Sequence, residues 1–517
     1  VWFRYRKIKK KKTILLFYFR LSSAIKSIRL VNVKAKINLL KGSTMNTFVN
    51  AVMNQEARTE NGMKARKTTA NAVVDLFYNA GASRGKNIVP AFTAAMAENR
   101  DLALRVAAWL RDARGGAGER QLFRDILVHL EKNDPEAAKA LLRKVPELGR
   151  WDDLFVFKTQ ALKNEAYTML GDALRQRNGL AAKWTPRQGP IAVEIRNFFG
   201  MSPKFYRKSL VELTKVVEQN MCANAWDDIN FSHVPSVAAA RYKKAFNRHT
   251  EKYAEYVQSL VKGDNPEVKV NASVAYPYDV LKGRIGHYGI SFDKTELDLI
   301  QKQWEALPNY VGDASILPLV DVSGSMSCPA GKNTKLSCLD VAVSLGLYLA
   351  DKNQGKFKDT FLTFSNKPEL LHLKGNINQK IDQMVKSKWE MNTNLHAAFN
   401  KILDVAVKGN VPQEEMPAMV LILSDMQFDQ CVKHDNSAIE MIERKFANAG
   451  YRVPQVVFWN LNAAYGNAPV KFDKTGTALV SGFSPAIVKP LLSGDMNSFT
   501  PVAIMLKTIM QDRYAVL

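Results

Sequence analysis

The stretch that decides the fold is Ile316-Leu317-Pro318-Leu319-Val320, followed at once by Asp321-Val322-Ser323-Gly324-Ser325. An apolar run with no polar break predicts a strand buried on both faces, as in parallel sheets. The oxygen-bearing side chains of Asp321, Ser323 and Ser325 then fall at i, i+2 and i+4. Alternate residues of an extended chain point the same way, so all three can converge just past the strand. Open α/β sheets bind their ligands at that end. Gly324 lets the chain turn there.

Working outward, the pattern alternates. Helical periodicity covers Leu339–Asp351, Ile377–Val385, Asn394–Val407 and Ala438–Ala449. Strands are expected at Phe361–Phe364, Ala418–Leu423 and Gln455–Trp459. Strands alternating with helices predict a parallel sheet covered on both faces, a Rossmann-like domain over residues 314–517. The run Leu421-Ile422-Leu423-Ser424-Asp425 brings another acid to the same edge, and Asn392-Thr393-Asn394 offers a hydroxyl where a helix opens.

Asp321, Ser323, Ser325, Thr393 and Asp425 are therefore the expected metal ligands. All are hard oxygen donors, which selects Mg²⁺, or Mn²⁺ or Ca²⁺, over zinc and copper. The two carboxylates balance the dication, and a position left to water could take a carboxylate or phosphate oxygen from a partner. The alternative is that Asp321 and Ser323 merely cap the next helix. The matching Thr393 and Asp425 segments, in order, favour the metal. No neighbouring His or Cys supplies a base or nucleophile, and His396 reads as a helix-surface residue. No enzymatic role is expected.

Upstream, from Thr47 to about Asp313, short amphipathic helices dominate: Leu102–Asp112, Glu119–Glu131, Pro135–Val145, Asn164–Gln176, Lys204–Cys222 and Val237–Val261. Gly and Pro breaks separate them, and strand-like alternation is scarce. No strict period appears, but successive helices suggest stacked HEAT-type pairs, with a bundle as the alternative. The linker to the sheet domain is expected near Leu307–Ser315, which sets a helical region at 45–313. The fold class is thus α plus α/β.

The net charge is +24. Residues 1–44 hold 13 Lys/Arg and no acid, so more than half of the excess sits in one arm. The chain starts at Val1, and its first methionine is Met45. Lys41-Gly42 could be the translation of a purine-rich ribosome-binding site, which would make the arm an over-extended reading frame. The alternative is a basic RNA-binding arm. A secretory signal is not expected, because the apolar run Thr13–Phe19 is short and Arg20 breaks it. No stretch is long and apolar enough to span a membrane. The four cysteines, Cys222, Cys328, Cys338 and Cys431, are sparse and lack metal-ligand spacing, which reads as a reduced, cytoplasmic protein. A Cys328–Cys338 bridge is conceivable but not expected.

Basic patches with aromatics mark the helical region. Residues 181–210 carry six Lys/Arg and one acid, and Arg241, Lys243, Lys244, Arg248 and Lys252 face only Glu251 in 241–252. Trp184, Tyr206, Tyr242 and Phe246 are interleaved. Cations for phosphates and rings for stacked bases are what single-stranded RNA recognition uses. The competing reading is a solvated face over core aromatics. The Gly-rich loop Arg114–Arg120 lacks P-loop order, so it is either a phosphate grip or a tight turn whose arginines pair with Asp152 or Asp153.

Asp321–Met326 (DVSGSM), Asn392-Thr393 and Ser424-Asp425-Met426 resemble the von Willebrand A domain of TROVE and Ro autoantigen-like proteins. They look closest to that group's bacterial, viral and plant relatives. The resemblance continues through Arg111–Arg120 (RDARGGAGER), Gly149–Asp153 (GRWDD), Lys183–Arg187 (KWTPR), Phe205–Lys208 (FYRK), Val234-Pro235-Ser236 and Arg241–Phe246 (RYKKAF). It covers most of residues 50–490. It implies a ring of HEAT-like repeats closed by an A domain with a MIDAS-type metal site, binding noncoding or misfolded RNA through a basic cavity and surface. The residues matched to that role are Lys183, Arg187, Lys204, Arg207, Lys208, Arg241, Lys243, Lys244 and Arg248. The expected function is RNA binding on the helical platform, with the Mg²⁺ site contacting a protein partner and the chain monomeric. The competing class is a protein–protein adaptor whose metal captures an acidic residue.

Overall fold

The computed structural model describes residues 56–214, 216–272, 275–285, 294–332, 334–364, 366–386, 393–429, 438–463, 466–493 and 498–516. The expectations for residues 1–44 and for Cys431 lie outside these residues. A hairpin of β1 (Glu56–Arg58) and β2 (Lys64–Arg66) comes first. The sequence pattern missed it, because its few side chains are mostly polar. It forms by docking on distant loops: Gly62 bridges to Asp429, and Arg66 to Ala468.

Helices follow: α1 (Ala72–Ala80), α2 (Val89–Glu98), α3 (Arg100–Arg111), α4 (Arg120–Asn133), α5 (Pro135–Leu148) and α6 (Gln160–Arg175). The caps are those the sequence supplies. Asn71, Asn99 and Asp134 accept the backbone N–H groups of Val74, Leu102 and Ala137, each worth about 1 kcal/mol. Consecutive helices pack as neighbours from α1 to α6. Next come α7 (Gly179–Trp184), α8 (Pro190–Phe198), α9 (Pro203–Leu213), α10 (Val217–Cys222), α11 (Ser236–His249), α12 (Lys252–Lys262), α13 (Pro277–Val280) and α14 (Lys294–Glu305). The helix expected at Lys204–Cys222 is thus two helices, α9 and α10. That expected at Val237–Val261 breaks at Thr250, whose extended backbone is held by a 2.6 Å hydrogen bond from its hydroxyl to Asp227.

The C-terminal part is built on β3 (Ile316–Val320), α15 (Cys338–Lys352), β4 (Thr360–Thr363), β5 (Leu370–His372), α16 (Ile377–Lys386), α17 (Leu395–Lys408) and β6 (Met419–Ser424). It is completed by α18 (Ala438–Asn448), β7 (Gln455–Asn460), β8 (Thr477–Ser481), α19 (Val488–Leu492) and α20 (Pro501–Ile509). The strand order is β5-β4-β3-β6-β7-β8. Every pairing is parallel except β4 with β5. The sheet is therefore mixed, not all-parallel, and β5 and β8 were not foreseen. The strand β5 is too short and too exposed to show a period, and β8 holds only three apolar residues between a threonine and a serine, too few to show one.

The two regions share one continuous core. Helices α1 and α3 pack on α20, and α1 also packs on β8. The Ser481 hydroxyl donates to the Phe77 carbonyl at 2.9 Å and accepts from the Gly81 N–H at 3.0 Å. A Cβ at Gly81 would lie 2.8 Å from the Ser481 and Gly482 backbone, so only glycine permits this approach. At the other end of the helical run, α13 packs on α15 and α14 on α16. Both ends of the helical region therefore rest on the sheet domain. The segment α10–α12 carries its own small core around Phe231, Phe246 and Tyr253. Among the described residues no helix is long and apolar enough to cross a membrane.

Candidate metal centre and nucleic-acid interface

Counted from β3, the sheet order reverses between β3 and β6, the crevice where such folds place ligands. Val320 pairs with Leu423, and the Asp321 N–H donates to the Leu423 carbonyl at 3.0 Å. Asp321 and Asp425 thus leave adjacent strands at one edge. Asp321 is fully buried. Its carboxylate accepts the Ser424 hydroxyl at 2.5 Å and the Ser323 N–H at 2.9 Å. The Ser323 and Ser325 hydroxyls are 3.0 Å apart, and Ser325 donates to Asp425. Four of the five expected ligands therefore form one connected cluster.

Thr393 joins it indirectly. Its hydroxyl donates to the Gln427 carbonyl at 2.8 Å, and its N–H and hydroxyl bind the Asp429 carboxylate at 2.8 and 3.2 Å. Gln427 in turn donates its N–H to Asp425 at 3.2 Å. Asp429 was missed by the sequence reading, though it lies only four residues past Asp425. The β1–β2 hairpin packs on the same loop: the Thr59 hydroxyl donates to the Phe428 carbonyl at 2.6 Å, and the Glu60 N–H to the Gln427 side chain at 2.7 Å. His396, expected on the surface, is half-buried, and its Nε2 is buried without a hydrogen-bond partner among the described residues.

The electrostatics suit a cation. Burial, then repulsion from Asp425, pushes the Asp321 carboxyl up to about 6. Asp425 is also raised, chiefly by burial and further by Glu60, against the opposing hydrogen bond from Ser325. Buried carboxylates that repel each other are relieved by a hard dication. Among the described residues no three His, Cys, Asp or Glu side chains gather around a metal-sized point. Any site here relies on serine and threonine hydroxyls as well as the two acids. Those donors fit Mg²⁺, which Asp321, Ser323, Ser325 and Asp425 would hold, while Thr393 is tied to the 427–429 stretch that follows Asp425.

The expected RNA-binding residues fall into two groups. Lys204, Arg207 and Lys208 of α9 and Arg241, Lys244 and Arg248 of α11 are exposed, and none forms an ion pair among the described residues. The others are engaged. Lys243 pairs with Glu296 at 2.5 Å and Lys183 with Glu218 at 3.6 Å, while Arg187 donates to the Thr214 hydroxyl at 3.1 Å. Of the four aromatics, Tyr206 and Phe246 are buried in the cores. Tyr242 is half-buried and reaches Glu218, and Trp184 lies under the Arg150 guanidinium at 3.7 Å. Phe205, 58% accessible, is an exposed ring between the α9 cations. It flanks an open groove of about 300 Å³ lined by Leu174, Arg175, Phe199 and Met201.

The loop from Arg111 to Arg120 is a structural turn. Arg111 and Arg124 both bind the buried Asp153, at 2.6 and 2.7 Å, and the Arg114 guanidinium donates to the Glu147 carbonyl. A Cβ at Gly116 would sit 1.9 Å from the Trp109 carbonyl oxygen. Arg120 is the exception. It is exposed and has no ion-pair partner among the described residues; desolvation first, then Arg150 and Arg124, lower its pKa against the opposing pull of Asp152 and Asp153.

Fold and site together define a helical platform resting at both ends on a mixed α/β sheet, with a hydroxyl–carboxylate cluster at the sheet's reversal point. Residues 59–149 and 194–317 match a family described as a domain of unknown function, DUF2828, and residues 315–508 match another so described, DUF7788. An uncharacterized protein of Acanthamoeba polyphaga mimivirus is similar at 29% identity over 514 residues, covering 87% of this chain and 86% of that one. The crystal structure of the Ro (RSR) protein of Deinococcus radiodurans is similar over 85% of this chain and 93% of that chain, at 15% identity and a TM-score of 0.35.

Proposed function

We propose that this protein binds single-stranded RNA on its helical platform and a Mg²⁺ ion at the sheet edge, without catalysing a reaction. The observation that carries the RNA reading is the α9 surface. There Lys204, Arg207 and Lys208 stand in solvent beside the exposed ring of Phe205, with no acid paired to them among the described residues. Unpaired cations neutralise phosphates, and an exposed ring stacks a base. The metal reading rests on the buried, mutually repelling Asp321 and Asp425 and the hydroxyls tied to them. In this reading the Mg²⁺ ion takes an acidic group from a protein partner on the side of the exposed Ser325.

The adaptor reading, in which the helices bind protein instead, draws support from the burial of Tyr206 and Phe246, which removes two rings otherwise free to stack bases. Purification of the full chain at low salt separates the two. RNA binding predicts co-purifying nucleic acid, seen as a raised 260/280 nm absorbance ratio that ribonuclease lowers. A protein-like ratio, with no binding of added single-stranded RNA, sinks the RNA reading in favour of the adaptor.

A further inference from the structure

The loop that leaves the Ser323–Ser325 turn carries two thiols. Cys328 follows the 3-10 turn Gly324–Ser327, and Cys338 opens α15. Between them Pro329 and Ser337 pair antiparallel. The Ala330 N–H donates to the Leu336 carbonyl at 2.7 Å, and the Cys338 N–H to the Cys328 carbonyl at 3.0 Å. Both cysteines are free, and their sulfurs are 3.5 Å apart. Opposed residues of an antiparallel pair have Cα atoms roughly 4.5–5.5 Å apart, inside the range of roughly 4.4–6.8 Å that a disulfide spans. The bond can therefore form with little movement of the main chain.

The two thiols differ in access and in character. Cys338 is buried, and Cys328 is half-exposed. The Asn462 amide donates to the Cys328 sulfur at 3.1 Å, and Lys86, bonded to Asn462 at 2.5 Å, brings a cation close. Donors and cations favour a thiolate. An accessible attacking thiol thus stands against a buried resolving one.

We propose that Cys328 and Cys338 form a modification site that reacts reversibly with small disulfides of the glutathione class. The Cys328 thiolate attacks one sulfur of the oxidant, and the other half leaves as a thiolate and takes up a proton. Cys338 then loses its proton as it attacks Cys328, forming the Cys328–Cys338 bond and releasing the second half as a thiol. Two protein thiols are oxidised and one disulfide is reduced to two thiols. A reducing compartment keeps such a pair open, so closure is a transient response. The site stands whether or not the neighbouring turn holds a metal.

The test equilibrates the full chain with glutathione/glutathione disulfide mixtures, then blocks free thiols with N-ethylmaleimide and maps the peptides by mass spectrometry. The expected result is a Cys328–Cys338 linkage that dithiothreitol reverses. In Cys338→Ser the reaction stops at a glutathione adduct on Cys328, formed faster than the adduct on the exposed Cys222. Both cysteines remaining alkylatable at the oxidising end while Cys222 reacts, or Cys328 pairing with Cys431 instead, overturns the proposal. So does a Cys338→Ser protein, folded by circular dichroism, that is modified at Cys328 no faster than at Cys222.

Discussion

The Ser424 hydroxyl donates to the Asp321 carboxylate at 2.5 Å, so the acid leaving one strand is held by the last residue of its neighbour. That bond holds a buried carboxylate at the sheet's reversal point, where Asp425 repels it.

The pH dependence follows. The folded Asp321 carboxyl, raised to about 6, lies above its ordinary value of 3.8. Its contribution to stability is complete below the ordinary value and is lost as pH rises through about 6. Above that, the metal-free protein carries a penalty of about 1–3 kcal/mol at this one group. Asp321→Asn is expected to raise the Tm of the metal-free protein at pH 7.5, to do little at pH 4, and to abolish the further rise that Mg²⁺ gives the parent. Scanning calorimetry in chelator and in Mg²⁺ checks it. An unchanged response to Mg²⁺ in the variant would remove Asp321 from the site.

Asp153 concerns stability alone. It is fully buried and binds Arg111 and Arg124 at once. Asp153→Ala leaves Arg111 buried without its anion, a loss of about 3–5 kcal/mol. Urea unfolding should show the midpoint falling steeply. A change under about 1 kcal/mol would mean that the pair is solvated in solution.

Tyr514 ties the C-terminal segment to the helical region. Its hydroxyl donates to the buried Asp112 at 2.8 Å, beside Arg513, whose guanidinium donates to the same carboxylate at 3.0 Å. Tyr514→Phe should cost about 1–2 kcal/mol, since Asp112 keeps its arginine. The loss should appear in equilibrium unfolding, with faster hydrogen exchange in the segment 501–514. Exchange unaltered there would show that the tail is held by packing alone.

Much of this was legible in the sequence because it is local. The apolar run Ile316–Val320 and the spacing of Asp321, Ser323 and Ser325 fix a strand and its edge without reference to anything distant. The β1–β2 hairpin was not legible, since Glu56–Arg66 has no period and forms only where the 427–429 and 467–468 loops receive it. The aromatics could be read two ways for the same reason, as stacking rings or as core. Tyr206 and Tyr242 are spaced like surface residues among cations, and only the packing of α9 and α11 shows which ring faces inward. Phe205, next to Tyr206 in the chain, turned out to be an exposed ring.

The most direct test of RNA binding is its salt dependence. Fluorescence anisotropy of a labelled single-stranded RNA should show log affinity falling linearly with log salt, at roughly 0.7 per neutralised phosphate. Combining Lys204→Ala, Arg207→Ala, Lys208→Ala and Lys244→Ala should weaken binding and flatten that slope by about 2–3, while Asp321→Asn leaves the slope unchanged. Affinity and slope both unmoved by the fourfold substitution, or no binding by the parent at low salt, would contradict the account.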